Sequence, residues 1–368
     1  MIQTLTKPTV VVDRQQVLAN IESMALKAKN SGCLFRPHFK THQSATIGEW
    51  FRAFDVTAIA VSSLDMAEYF ADHHWHDISV CVPVNPLQID HINRLAQRVT
   101  LHLLVESLET LRFLSTHLTH RVKLWIEIDT GHHRSGIGPE SIDLIMQLVK
   151  EIENAPLMIF QGLKTHAGHA YKARSINEIK QIYSSTLMQL EAVQRQIEDQ
   201  IDKHCALSTG DTPGCSAIES FSDSIDEIRP GNFVFYDVTQ TVIGACDESQ
   251  IAIALVCPVI ASYPERDEII VYAGAIHLSK ESLCLPDGSI CYGLVCRAED
   301  KRWGPSIKGA VVSELSQEHG KIRASREFVE SVSPGELLAV LPVHSCLTAN
   351  LARALYTLDG ECCDCFRY

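Results

Sequence analysis

The chain has 368 residues, 46% hydrophobic and 21% charged, a composition for packed globular domains and a length for two of them. Its 32 basic residues against 45 acidic ones leave a net charge of −13, which argues against general nucleic-acid binding, since that needs a basic face. No run approaches the ~20 apolar residues that cross a bilayer. The opening "MIQTLTKPTVVVD" lacks a signal-peptide pattern, so a cytoplasmic, non-membrane protein is expected.

In chain order, the strand-like "TVVVD" leads into "RQQVLANIESMALKAKNSG", an amphipathic helix stopped near Gly32. Eight further strand segments follow: "CLFRPHFK", "VTAIAVS", "ISVCVPV", "VTLHLLVES", "RVKLWIEID", "LMIFQGLKTHAG", "CALSTG" and "EIRPGNFVFYD". Most intervals between them carry a helical period. The clearest runs from Ser175 to about His204, with Ile176, Ile179, Tyr183, Leu187, Leu190, Val193, Ile197 and Ile201 at steps of three and four. Eight alternating units predict an α/β fold, a (β/α)8 TIM-type barrel over residues 1–240. From "IAIALVCPVIASYPERDEIIVYAG" the runs become short and β-rich, and a helical pattern returns only at "TANLARAL". Residues 241–368 therefore read as a C-terminal, mostly β domain. The 13 cysteines are odd in number and scattered, which predicts free thiols. The terminal "CCDC" lacks the second paired cluster of a zinc finger.

Barrel enzymes carry their chemistry at the C-terminal ends of the strands. There this sequence puts Lys40 in "FRPHFKTHQS", "THAGH" at 165–169, "STG" at 208–210 and "RPGN" at 229–232. Arg36, His38, Lys40 and His42 alternate, and on an extended strand they share a face, where four polar groups are hard to bury without a use. Glycines, hydroxyls and free N–H groups after strands seven and eight suit a phosphate dianion. The plainer alternative is that Gly210 and Gly231 only turn the chain. A strand-end lysine facing a phosphate cradle suggests pyridoxal 5'-phosphate, whose aldehyde condenses with an amine.

On "RPHFKTH", "EIDTGHHRSGI", "GLKTHAGHAY", "STGDTP", "RPGNFVFYD" and "PVHSCLTANL" the chain resembles, over nearly its whole length, the D-serine dehydratase and D-threonine aldolase group. These are alanine-racemase-like, fold-type III pyridoxal-phosphate enzymes. The resemblance implies that Lys40 holds the cofactor, that Arg134 and His166 lie near its ring, and that Thr209, Gly210, Gly231 and Asn232 bind its phosphate, with Tyr236 at the same pocket. Arg229 corresponds to the arginine that faces the pyridine nitrogen in alanine racemases. Gln43 stands where the group has a second lysine.

His344 and Cys346 of "PVHSC" would point the same way on a strand, as a shared metal ion requires. The resemblance implies a metal there, and the thiolate–imidazole pair favours zinc. Glu318 and His319 of "SQEHG" either approach it or form a turn. The implied activity is a lyase acting on D-3-hydroxy amino acids, D-serine giving pyruvate and ammonia with metal assistance at the β-hydroxyl. The alternatives are a D-threonine aldolase, a 3-hydroxy-D-aspartate aldolase or dehydratase, and an amino-acid racemase. A cofactor carrier without a reaction of its own fits poorly with the extra domain. A homodimer is implied by resemblance.

Overall fold

A computed structural model of the protein describes residues 2–285 and 287–367. The chain forms two units. One takes Glu22–Lys40 and Phe51–Gly231; the other takes the chain up to Ile21, Thr41–Trp50 and Asn232–Arg367. The sequence suggests a single switch near residue 240, whereas these units are interleaved along the chain.

After strand β1 (Thr9–Val12), which belongs to the second unit, eight strands build the first: β2 (Leu34–Phe35), β3 (Ile59–Val61), β4 (Asp77–Pro83), β5 (Thr100–Val105), β6 (Val122–Glu127), β7 (Met158–Lys164), β8 (Ala206–Thr209) and β9 (Glu227–Ile228). They are parallel, in the order β2-β9-β8-β7-β6-β5-β4-β3. The edge between β2 and β3 is joined by one bridge, His38 to Ala60. The eight segments expected from the sequence thus form a TIM-type curled sheet. The apolar runs explain it: parallel strands are covered on both faces, and all three residues of β3 and five of the six in β5 are buried.

Helices start where serines cap them. Ser63, Ser107 and Ser175 accept the N–H groups of Met66, Thr110 and Glu178. The long helix is Ile176–Glu198, which stops before His204 and buries Ile179, Tyr183, Leu190, Val193 and Ile197. No helix among the described residues is long and apolar enough to cross a membrane.

The second unit is built on a nine-stranded sheet. Its order is Glu268–Tyr272, His319–Arg323, Trp303–Leu315, Gly293–Ala298, Leu337–Pro342, Ile253–Tyr263, β1, Ala354–Thr357 and Cys362–Asp364. All neighbours are antiparallel except β1 with Ala354–Thr357. "TANLARAL" is only partly helical: the helix is Ser345–Leu351, and Ala354 opens a strand. The "CCDC" cysteines lie on and just after the edge strand, and all 13 thiols are free.

Candidate active site

Strand β2 ends at Phe35, so the polar residues after it are not one ladder face. They divide by role. Arg36 turns into the barrel, its Nη1 2.5 Å from Asp77 Oδ1 and its Nε 2.5 Å from Glu227 Oε2. Phe39 is fully buried against Phe51, Phe70 and Trp75, with ring centroids 5.0, 5.0 and 5.1 Å away. His38 donates its backbone N–H to Pro230 O, and Phe39 donates to Ala60 O. Lys40 follows in a turn, half-buried, its backbone N–H donating to His38 Nδ1 at 3.3 Å. An aromatic anchor and three backbone bonds thus hold the turn that presents Lys40.

His166, just past β7, is half-buried, and Arg229, just past β9, is buried. His38 and His166 are both held well below the ordinary histidine value. Burial is the main cause; for each, the charges of Lys40 and Arg229 add to it. The structure therefore brings Lys40, His38, His166 and Arg229 within electrostatic reach of one another. Arg229 donates from Nε to Ser208 Oγ at 2.7 Å and from Nη2 to Thr165 O at 2.5 Å. Thr209 is buried at the end of β8, its carbonyl accepting the Arg229 N–H. Gly210 permits close packing: a Cβ there would fall 2.4 Å from the Arg229 N. Gly231 is half-buried at the end of the first unit. Arg134 lies on the loop after β6, its side chain 49% exposed and 3.9 Å from Glu127.

Beneath these groups runs a charge network that sequence reading missed. Lys164 donates to Ser79 Oγ at 2.7 Å, lies 3.7 Å from Glu227 Oε1 and sits 4.7 Å from the Trp125 ring centroid. Burial brings its pKa down to about 8, although Glu227 opposes this. Burial alone would raise the Glu227 carboxyl, but Arg36, Lys164 and Arg229 outweigh it and bring it to about 2. The available signal was charged residues inside three of the strand segments: Arg36 in "CLFRPHFK", Lys164 in "LMIFQGLKTHAG" and Glu227 in "EIRPGNFVFYD".

In the second unit, His344 and Cys346 are not on a strand. Leu337–Pro342 ends just before them, His344 occupies the N-cap of Ser345–Leu351, and Cys346 lies in that helix's first turn. The side chains still meet. Burial disfavours the charged imidazole, but Cys346 and Glu281 outweigh it and push His344 up to about 11. His344 Nδ1 lies 2.6 Å from Glu281 Oε2, and Cys346 Sγ lies 3.3 Å from Thr41 Oγ1.

Asp237 Oδ2 organises this corner by accepting from Asn232 Nδ2 at 2.6 Å and from the Ser345 N–H at 3.0 Å. Asn232 Nδ2 also reaches Ser345 Oγ at 2.9 Å and Cys346 Sγ at 3.6 Å. Asn232 is thus engaged on the His344–Cys346 side through its amide nitrogen. Tyr236 is buried, with a left-handed φ of 48°. His319 pairs with Tyr272 in the sheet, and "SQEHG" forms a strand turn.

Among the described residues, no three His, Cys, Asp or Glu side chains gather as a metal cage. The donor chemistry nevertheless suits a cation. Glu281 on one ring nitrogen of His344 is the carboxylate–histidine arrangement that orients metal-bound imidazoles. Two side chains would leave the remaining coordination positions to water or substrate.

The family described as "Alanine racemase, N-terminal domain" matches residues 12–238, and "Putative serine dehydratase domain" matches 252–358. The chain is 28% identical to D-serine dehydratase from Dictyostelium discoideum, covering 98% of this chain and 95% of that one. It is 26% identical to D-threo-3-hydroxyaspartate dehydratase from Delftia sp. (strain HT23), covering 97% and 95%. A solved cysteine-to-alanine variant of D-threo-3-hydroxyaspartate dehydratase, in metal-free form, superposes with a TM-score of 0.92 at 25% identity over 100% of this chain and 99% of that one. With the barrel match spanning more than half its length, the chain belongs to the alanine racemase N-terminal domain family, and its second unit matches the serine dehydratase domain.

Proposed function

We propose that the protein is a pyridoxal-phosphate-dependent lyase that dehydrates D-3-hydroxy amino acids, with D-serine giving pyruvate and ammonia. The carrying observation is Lys40 on a braced turn, flanked by two imidazoles held neutral and by Arg229. Gly210, where any Cβ would collide with the Arg229 backbone, next to the Thr209 strand end suits close backbone approach to a phosphate dianion, and the residues fit the cofactor on that ground. Lys40 would hold it, Arg134 and His166 would lie near its ring, and Thr209, Gly210, Gly231, Asn232 and Tyr236 would line its phosphate side. When bound, pyridoxal phosphate supplies an electron sink for the charge left when Cα loses a proton.

Lys40 then acts as the base at Cα. His38 fixes its backbone, and the Ser208, Thr165 and Glu227 contacts keep Arg229 in place. His344 and Cys346 would hold a zinc ion, supplying Lewis acidity at the substrate β-hydroxyl. Glu281, Thr41 and Asn232 orient those two donors, and Thr41 directly follows Lys40 in the chain. The relative solved in metal-free form as a cysteine variant supports this assignment. A homodimer is part of the reading, as the family likeness implies.

Product analysis with D-serine tests the reaction. Pyruvate with ammonia is expected. D-Threonine giving glycine and acetaldehyde as the dominant reaction would make the protein an aldolase, and L-serine formed from D-serine without pyruvate would make it a racemase.

A further inference from the structure

The chain passes from the first unit to the second between Lys40 and Thr41. On the first-unit side, the Phe39 ring and the His38 N–H to Pro230 O bond brace Lys40. On the other side, Thr41–Ser44 belong to the second unit, and all four residues are buried. They are fixed by the segment that follows the edge strand Cys362–Asp364. Phe366 donates its backbone N–H to Gln43 O at 2.5 Å, and Cys365 pairs with Ser44 in an antiparallel bridge. Cys365 Sγ stands 3.7 Å from His42 O and 3.6 Å from Cys363 O. The last cysteine of "CCDC" thus packs on the end of the "FRPHFKTHQS" stretch.

The Gln43 side chain is held as well. Its Nε2 donates to Asn350 Oδ1 at 2.9 Å, on the helix that carries Cys346. Gln43 has a left-handed φ of 52°. A glutamine keeps that conformation only where its surroundings over-determine it, and such residues gather at sites that need a fixed geometry. Here the Phe366 N–H holds the Gln43 carbonyl and Asn350 holds its amide. The turn leads directly into the helix Ala45–Arg52, where Ser44 Oγ accepts the Ile47 N–H at 3.3 Å. Lys40 therefore lies between two fixed flanks, three residues before Gln43.

We propose that Gln43 and the backbone of Phe366 are positioning residues for Lys40, a clamp that returns its amine to one place each time it leaves the cofactor to take the Cα proton. This rests on the lyase reading, in which Lys40 is both the attachment point and the base. A catalytic group has to be held within about 0.5 Å of its productive position, and proton transfer needs hydrogen-bond reach. Gln43 and Phe366 act through Lys40 rather than on the substrate.

Three variants test the clamp. Phe366→Pro removes the N–H donor, Phe366→Ala keeps it, and Gln43→Met keeps the side-chain length without its donor. Phe366 follows the edge strand and is half-buried, so proline there spares the sheet. In Phe366→Pro and Gln43→Met, kcat for D-serine should fall about 10-fold while KM changes by less than about 2-fold. Phe366→Ala should stay within about 2-fold of the native rate, and added zinc should restore neither clamp variant. An equal loss in Phe366→Ala, or recovery with zinc, overturns the clamp. A second readout needs no turnover. Apo-protein captures pyridoxal phosphate on Lys40, followed by absorption and confirmed by borohydride trapping, and both clamp variants should capture it several-fold more slowly. Pyruvate formation by the native protein with unchanged capture rates in the variants rejects the clamp and keeps the lyase. Slowed capture without pyruvate from the native protein rejects the lyase and keeps the positioning of Lys40.

Discussion

The barrel unit and the β unit solve the problem of holding reactive groups in different ways. In the barrel, Arg36, Asp77, Lys164, Glu227 and Arg229 are drawn from five points along the chain, and the three cations pair with the two carboxylates. In the β unit, His344 and Cys346 are two residues apart and are braced by single contacts from Glu281, Thr41 and Asn232. The first arrangement is rigid because removing any partner strands a buried charge. The second is local and open to a cation. Substitutions in the barrel network should therefore damage the fold, and substitutions at His344 or Cys346 should damage chemistry while sparing it.

Lys40→Ala should have the largest effect, a loss of turnover by at least about 10³-fold, because both the cofactor attachment and the base disappear. The barrel unit offers a control in Lys164, which is buried and lowered to about 8 but bonded to Ser79 and beside Glu227. Borohydride reduction and peptide mapping should find the adduct on Lys40; an adduct on Lys164 overturns the assignment.

Chelation comes next. It should abolish D-serine turnover while leaving the cofactor's absorption in place, and added zinc should restore activity. Cys346→Ala should weaken zinc binding by more than the roughly 10–100-fold typical of losing an orienting contact, since a donor itself is lost. Metal analysis and titration check it, and full activity after rigorous metal removal rejects the zinc role.

How much of this was legible beforehand follows from the kind of interaction involved. The eight barrel strands and the Ser175 helix start are local patterns, and the sequence carries them in apolar runs and capping serines. The charge network is not local: Glu227 in "DEIRP" means nothing until β9 lies between β8 and β2 and brings it to Arg36 and Lys164. The H-x-C pair was found, but its strand setting was not. The Ser345 N–H is taken by the distant Asp237, and the chain turns into a helix there. "LARAL" favours a helix by propensity, yet Ala354–Thr357 pairs with β1, a tertiary contact that overrides it.

Glu227→Gln sharpens the contrast through stability. At neutral pH it should lower unfolding free energy by about 3 kcal/mol, the low end for breaking a buried ion pair. The Glu227 pKa falls on folding, from 4.5 to about 2. Its contribution is therefore present in full above pH 4.5 and is lost as pH falls toward 2. Denaturant midpoints of native and variant protein should lie far apart at pH 7 and draw together near pH 3. A gap that stays constant over that range means that the carboxylate's charge is not what the network needs.

The smallest expected effect is at Gly231, the last residue of the barrel unit, directly before Asn232. Its φ is not left-handed, so a side chain meets no backbone strain there. Gly231→Val should leave the thermal midpoint of the apo-protein nearly unchanged. If the N–H groups after β9 line the cofactor phosphate, the same change should weaken cofactor affinity by about 10-fold, because a branched side chain blocks close backbone approach. Gly210→Val is the comparison: its Cβ would collide with the Arg229 backbone, so that variant should lose stability as well as affinity. Fluorescence titration of apo-protein with pyridoxal phosphate, beside melting curves, separates the two glycines. Unchanged affinity in Gly231→Val moves the phosphate away from this loop.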